Sequence, residues 1–285
     1  MRFSKWHGIG NDFLIVDEQD LDGPLSEQAV IAICDRNFGV GADGILVLGG
    51  SSTADAHMLI HNADGSMAEM CGNGIRVAAR WLLAKGRVTP GGDGTFTIET
   101  AGGIMRPSVL DDGRVRVDMG IVTSEGIADV DLGTSNAELV GHTLTGRVVH
   151  VGNPHFVVRR APEGPELHRL GPSGERHPRF PNRTNVEFWE IDDHDAGRVR
   201  MRVWERGVGE TLACGTGACA VAFTARTDAD MTGPITVALP GGELEIEFDG
   251  DRAFMTGAAH HAWDGALDPA LIVAGLPSNH RAMAH

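Results

Sequence analysis

The sequence predicts an α/β (α+β) protein made of two similar halves, each centred on one buried helix flanked by strands. Three observations carry this. At 285 residues the chain is longer than one hydrophobic core usually supports, which favours two domains. Its 39 glycines fall in short clusters, as expected for many tight turns joining short strands rather than for a low-complexity chain. A cysteine followed by a glycine-flanked polar residue opens an apolar helical pattern twice, at Cys71-Gly72-Asn73-Gly74 and at Cys214-Gly215-Thr216-Gly217.

The composition bounds what the protein does. Hydrophobic residues make up 42% and charged residues 22%, the profile of a folded chain. A formal net charge of -15, with no local cluster of Lys and Arg to override it, excludes phosphate backbones and anionic lipid surfaces as partners. Met1-Arg2-Phe3-Ser4-Lys5-Trp6-His7-Gly8 lacks the apolar core and small-residue cleavage site of a secretory signal, and no apolar run is long enough to span a bilayer. The expected compartment is the cytoplasm, where Cys34, Cys71, Cys214 and Cys219 are reduced thiols.

In the first half, Phe13-Leu14-Ile15-Val16 reads as a short buried strand. Residues 26–38 read as an amphipathic helix with Ala29, Val30, Ile33 and Cys34 on one face. The loop Gly39-Val40-Gly41-Ala42-Asp43-Gly44 spells G-x-G-x-x-G, but a dinucleotide site needs a strand before that loop and a helix after it, and here the order is reversed. Strands follow at 45–48 and 56–60, then the turn Asn62-Ala63-Asp64-Gly65. From Gly74 to Ala84, helical spacing of Ile75, Val77, Ala78, Trp81, Leu82 and Leu83 marks a mostly buried helix stopped at Lys85-Gly86. Alternation at 95–99 and 114–118 marks further strands.

The second half repeats the plan. Strand-like runs at 147–150, 156–158, 185–189 and 199–203 lead to Gly215-Thr216-Gly217, which opens the apolar helix 218–225, and strands at 235–237 and 244–248 close it. This reads as an internal duplication too diverged to show as residue identity. The tail after Pro277 is polar and is expected to fray.

The two cysteine fragments carry the chemistry. A helix N-terminus offers N–H groups without intrahelical acceptors and a positive dipole end, which hold a carboxylate and lower a neighbouring thiol pKa; glycine lets a ligand approach the backbone. One carboxylate clamped by two such ends would have a sulfur on each side of its α-carbon. Inverting that carbon requires one deprotonated and one protonated group, and a thiol, with an ordinary pKa of about 8.5, needs only modest tuning to play either part. Cys34, on a helix face, and Cys219, inside a helix, fit as small core residues. A zinc site built on Cys214 and Cys219 is disfavoured, because residues five apart on a helix diverge and no second cysteine pair exists.

Seven fragments in order resemble the diaminopimelate epimerase family over nearly the whole chain. They are His7-Gly8-Ile9-Gly10-Asn11-Asp12-Phe13, Phe38 through Gly44, Asn62-Ala63-Asp64-Gly65-Ser66, Cys71-Gly72-Asn73-Gly74, Gly152-Asn153-Pro154-His155, Thr184-Asn185-Val186-Glu187, and Trp204-Glu205-Arg206-Gly207-Val208-Gly209-Glu210-Thr211 running into Cys214-Gly215-Thr216-Gly217. The resemblance implies interconversion of LL- and meso-2,6-diaminoheptanedioate in lysine and peptidoglycan precursor synthesis, with no pyridoxal phosphate, other cofactor or metal. It implies Cys71 and Cys214 as the base and acid pair. It implies two pseudo-symmetric domains, each a strand barrel around a central helix, with the active site in the cleft between them: residues 1–119 with 263–285 returning to them, and 120–262.

By the same resemblance Asn11, Asn62, Asn153 and Asn185 contact substrate, Arg206 grips the distal carboxylate and Glu205 faces an ammonium. Backbone N–H groups of Gly72, Asn73, Gly215 and Thr216 clamp the reacting carboxylate, and His155 and Glu205 tune the thiols. Gly44 departs from relatives that carry glutamine there, and Trp204 stands where relatives often have tyrosine. The partner is a small diamino-dicarboxylic acid, with a homodimer possible. A proline racemase-like enzyme shares the two-cysteine logic but would lack the Asn11 segment and the Arg206 grip. A thiol redox protein and a non-catalytic amino-acid-binding protein are the alternatives from other classes.

Overall fold

Apolar alternation and glycine turns give a strand-rich chain in the computed structural model, which describes residues 1–161 and 164–268. Four α-helices occur among the described residues: α1 (Glu27–Cys34), α2 (Gly72–Ala84), α3 (Glu166–Glu175) and α4 (Gly215–Asp228). The chain divides into two compact units. The first comprises Met1–Val117 with the described residues from Ala258 on, and the second comprises Asp118–Gly257. The chain passes from one to the other within the strand Val115–Ile121. The tail after Pro277 lies outside the described residues.

The first unit's sheet is built on Arg2–Gly8, which pairs antiparallel with Asn11–Asp17. Asn11–Asp17 runs parallel to Gly44–Gly49, and Gly44–Gly49 antiparallel to Ala56–Asn62. Ala56–Asn62 then takes the short strand Met67–Ala68 antiparallel and Ile98–Thr100 parallel, and Ile98–Thr100 turns back into Gly103–Met105. The second unit repeats this step for step. Thr143–His150 pairs antiparallel with Pro154–Arg159, which is parallel to Asn185–Asp193, which is antiparallel to Arg198–Glu205. Arg198–Glu205 takes Gly209–Thr211 antiparallel and Ile235–Leu239 parallel, and Ile235–Leu239 turns back into Gly242–Asp249. The helices fall at matching places, α1 and α3 in the first parallel crossover of each unit and α2 and α4 in the second. The duplication read from two cysteine fragments is thus a duplication of topology.

In each unit one helix is enclosed and the other lies outside. α4 packs against seven strands of its sheet and is buried at Gly215 and from Gly217 through Ala225. A helix buried all round is one that a sheet has curled about. α2 is buried at Gly72–Ala79 and again at Trp81 and Leu82, against Arg2–Gly8, Asn11–Asp17 and Gly44–Gly49. On the opposite face, Val30, Ile33 and Cys34 of α1 pack with Leu14, Val16, Ile45 and Val47, while Leu167 and Leu170 of α3 pack with Phe156, Val158, Val186 and Phe188. Covered on both faces, these strands are continuously apolar, which is why 13–16 reads as a solid run.

Several boundaries differ from those the sequence implies. α1 stops at Cys34 instead of 38, because Asp35 Oδ1 accepts from Asn37 N (2.8 Å) and Phe38 N (2.7 Å) and turns the chain. α4 runs to Asp228, its threonines 224 and 227 bonding back to the carbonyls four residues earlier. The strand expected at 95–99 begins only at Ile98, since Thr97 N is taken by the Asp55 carboxylate (2.8 Å). α3 and the strands Arg2–Gly8, Thr123–Asp131 and His260–Ala266 are additions. The G-x-G-x-x-G loop does lie between α1 and the strand Gly44–Gly49, the reverse of a dinucleotide turn. No helix among the described residues is long and apolar enough to cross a membrane.

Candidate active site

The repeated topology gathers the predicted residues at one end of each sheet. In the first unit Asn11 and Gly44 begin two parallel strands, and Asn62 ends the strand antiparallel to the second of them. Parallel starts and an antiparallel finish fall at the same edge. In the second unit Asn153 immediately precedes Pro154–Arg159, Asn185 begins its parallel neighbour and Glu205 ends the next, antiparallel strand. Asn11 therefore corresponds to Asn153, Gly44 to Asn185, and Asn62 to Glu205.

Cys71 and Cys214 occupy equivalent positions as N-caps of the enclosed helices, with extended backbones at φ/ψ of -146/112 and -133/109. Their surroundings differ. Cys71 is partly exposed, and its Sγ accepts from Gly74 N at 3.4 Å. The N-terminus it caps is tied to the strand edge by Asn73 Nδ2, which donates to Asn11 Oδ1 at 3.1 Å. Asn11 Nδ2 in turn donates to Asp43 Oδ2 at 2.8 Å. Asp43 is fixed by Arg36, which also pairs with Asp12, and Asp12 pairs with Lys5. Burial works to raise the Asp12 pKa, but hydrogen bonds from Arg36 and Lys5 outweigh it and hold the carboxyl below its ordinary value. Asn62 Nδ2 donates to Ser66 Oγ at 2.9 Å. No side chain fits at Gly44 without movement: a Cβ there would lie 2.5 Å from the His61 carbonyl oxygen. A glutamine at this position thus has no ready place on this backbone.

Cys214 is buried, with the Thr216 hydroxyl 3.7 Å from its sulfur. Burial pushes its thiol pKa well up, and the carboxylates of Glu205 and Glu187 push it further, against hydrogen bonds from Gly217 and Thr216. This corrects the expectation that both helix ends lower a thiol pKa: at Cys214 desolvation and two negative groups win over the dipole. Glu205 is itself raised, first by burial, although it accepts hydrogen bonds from Thr211 and Cys214. His155, fully buried, places Nδ1 2.6 Å from Glu187 Oε1 and Nε2 2.9 Å from Asn153 Oδ1. Cys34 is inert by comparison, its thiol pushed up to about 12 by burial.

Asn185 and Arg206 are joined rather than separate. Asn185 Oδ1 accepts from Arg206 N at 2.8 Å, its Nδ2 donates to the Pro154 carbonyl at 3.2 Å, and the exposed Arg206 guanidinium reaches the Asn182 carbonyl at 3.3 Å. Beneath this turn lies Glu175 of α3, which sequence reasoning does not single out. Its buried carboxylate accepts from Trp204 Nε1 (2.9 Å) and Gly207 N (3.0 Å), pinning both sides of Glu205-Arg206. Glu187, also missed as a functional residue, carries a visible signal: an acid inside the apolar run Asn185-Val186-Glu187-Phe188-Trp189, where a charge needs a partner.

Likeness to solved structures fixes the fold. The chain superposes on a probable proline racemase from Agrobacterium radiobacter K84 with a TM-score of 0.68 at 17% identity, covering 95% of each chain. It superposes on a hydroxyproline epimerase from Agrobacterium vitis with a TM-score of 0.69 at 15% identity, covering 93% of this chain and 91% of that one. A Bacillus anthracis protein of the PhzF family gives 0.69 at 16% identity, covering 93% and 98%. These likenesses define the fold alone; the class of the protein, an isomerase, comes from its sequence relatives. Sequence supplies the rest: the family described as Diaminopimelate epimerase matches residues 3–124 and 147–262. The Diaminopimelate epimerase of Synechococcus sp. (strain JA-2-3B'a(2-13)) is 44% identical over 281 residues, 93% of this chain and 97% of that protein. The chloroplastic enzyme of Oryza sativa subsp. japonica is 41% identical over 286 residues, 93% and 80% of the respective chains. The chain belongs to the diaminopimelate epimerase family.

Proposed function

We propose that this protein interconverts LL- and meso-2,6-diaminoheptanedioate by proton transfer between two cysteines, without cofactor, in the synthesis of lysine and peptidoglycan precursors. The observation that carries this reading is the pair of N-cap cysteines at topologically equivalent positions in a chain of this family. Burial and the carboxylates of Glu205 and Glu187 favour the thiol form of Cys214, so in this reading it is the proton donor and Cys71 the base. Cys71 takes the α-proton from one face and Cys214 returns one to the other. The thiol and thiolate have then exchanged, and the reverse reaction restores them. The developing carbanion has no imine to delocalise it. N–H groups at the helix starts, from Gly72, Asn73, Gly215 and Thr216, stabilise the charge gathering on the substrate carboxylate.

The remaining residues bind the non-reacting parts. Asn11, Asn62, Asn153 and Asn185 present amides to ammonium and carboxylate groups, and Arg206 makes a bidentate contact with the distal carboxylate. Glu205 tunes Cys214, whose thiol it accepts from, and meets the substrate ammonium from the same place; His155 shares the tuning.

Turnover in heavy water with LL-diaminopimelate tests the reading. Deuterium appears at one α-carbon of the product, and Cys71→Ala and Cys214→Ala each lower the rate by about a thousandfold or more with the fold intact by circular dichroism. Either variant within tenfold of wild type refutes the assignment.

A further inference from the structure

The two cysteine helices look alike, yet the residues packed behind Cys214 include an acid joined to an imidazole. Glu187 and His155 stand on adjacent parallel strands, where His155 is opposite Asn185 and Glu187 lies two residues further on. Both side chains are fully buried and joined at 2.6 Å. Glu187 Oε1 points at the start of α4: a Cβ built on Gly217 would lie 2.9 Å from this oxygen and 3.2 Å from Cys214 Sγ. The carboxylate and the sulfur therefore flank one point, within Coulomb range of each other. The other oxygen, Oε2, is buried with no hydrogen-bond partner. An acid that costs this much to bury and leaves one oxygen unsatisfied is not there for stability.

We propose that Glu187 is a positioning residue for proton transfer at Cys214: locked onto His155 Nδ1, it fixes the ring and maintains the negative charge against which Cys214 carries its proton. This rests on the two-cysteine reading and adds a member to it. The groups facing Cys214 are Glu205 from the strand Arg198–Glu205, Glu187 with His155 behind it, and the Thr216 hydroxyl from α4 itself. Glu205 and Glu187 act in the same direction on the sulfur. Removing the Glu187 charge while keeping its shape makes Cys214 more acidic and slackens the hold on His155.

The test uses the full-length protein and two variants. Iodoacetamide labelling is followed at Cys214 by peptide mass spectrometry across pH, so the other cysteines do not interfere, and kcat and KM are measured in parallel. In E187Q the labelling midpoint of Cys214 moves to lower pH by about one unit, a tenfold gain in thiolate at fixed pH, and kcat falls about tenfold or more with KM within about threefold. E187D keeps the charge but withdraws it from His155 by one methylene; it leaves the midpoint in place and still lowers kcat, and it decides the matter if E187Q fails to fold. An unmoved midpoint in a folded E187Q, or wild-type kcat in E187D, overturns the proposal. Labelling needs no turnover, so either result leaves the outcome of the Cys71→Ala and Cys214→Ala experiment standing on its own.

Discussion

At the scale of the residue, two fragments that look interchangeable in sequence are not so in space. The third position after each cysteine is glycine, but for different reasons. A Cβ on Gly74 would sit 3.4 Å from Cys71 Cβ and from Leu46 Cδ2, ordinary contact, whereas one on Gly217 would crowd Glu187 Oε1 at 2.9 Å and Cys214 Sγ at 3.2 Å. Alanine is favoured over glycine in a helix by about 1 kcal/mol. Gly74→Ala is therefore expected to hold or raise stability by up to about 1 kcal/mol. Gly217→Ala should lose about 1–3 kcal/mol, because the extra methyl displaces the carboxylate or the sulfur in a full interior, and its kcat should fall with it. Urea unfolding of the two variants measures the difference, and equal changes would contradict the crowding at Gly217. The repeated pattern was legible because both fragments begin helices; the asymmetry was not, because Glu187 arrives from a strand 27 or more residues earlier in the chain.

At the scale of the element, α3 is a helix that its own residues oppose. Glu-Leu-His-Arg-Leu-Gly-Pro-Ser-Gly-Glu carries two glycines and an internal proline, a poor helix former by any propensity argument. Packing overrides that preference. Gly171 has no side chain because the Trp204 ring occupies that space, with a built Cβ falling 2.6 Å from the ring, and Gly174 lies against Val186. The helix thereby comes close enough for Glu175 to catch the Trp204 indole and the Gly207 N–H, holding the Glu205-Arg206 turn. Tertiary contact, not local preference, makes this element, so nothing in a single sequence marked it. Gly171→Ala, which local propensity favours, is expected to destabilise by about 2 kcal/mol and to raise KM more than it lowers kcat, since it lifts α3 off the strand that ends at Glu205. A gain in thermal stability for this variant would show that α3 does not depend on its contact with Trp204.

At the scale of the whole chain, strands covered on both faces and the two enclosed helices were readable because burial imposes apolar runs and helical spacing. The outer strands Thr123–Asp131 and His260–Ala266 were not, because most of their residues are exposed and a backbone ladder rather than an apolar pattern defines them. The topological repeat emerges only when pairing is known: two parallel and four antiparallel pairings recur in the same order in sheets whose side chains have diverged. What the sequence did state outright was charge. A net charge of -15 repels an anionic ligand over distances that salt screens, with a Debye length of about 30 Å at 10 mM falling to about 8 Å at 150 mM. A substrate carrying two ammonium and two carboxylate groups has no net charge for this field to act on. For the proposed activity, kcat/KM should therefore change by less than about twofold between 10 and 150 mM salt, whereas a net-negative substrate would be captured several-fold faster as salt rises. A steep increase with ionic strength would mean that the species entering the site carries net negative charge, and the proposed zwitterionic diamino-dicarboxylic acid would have to be abandoned.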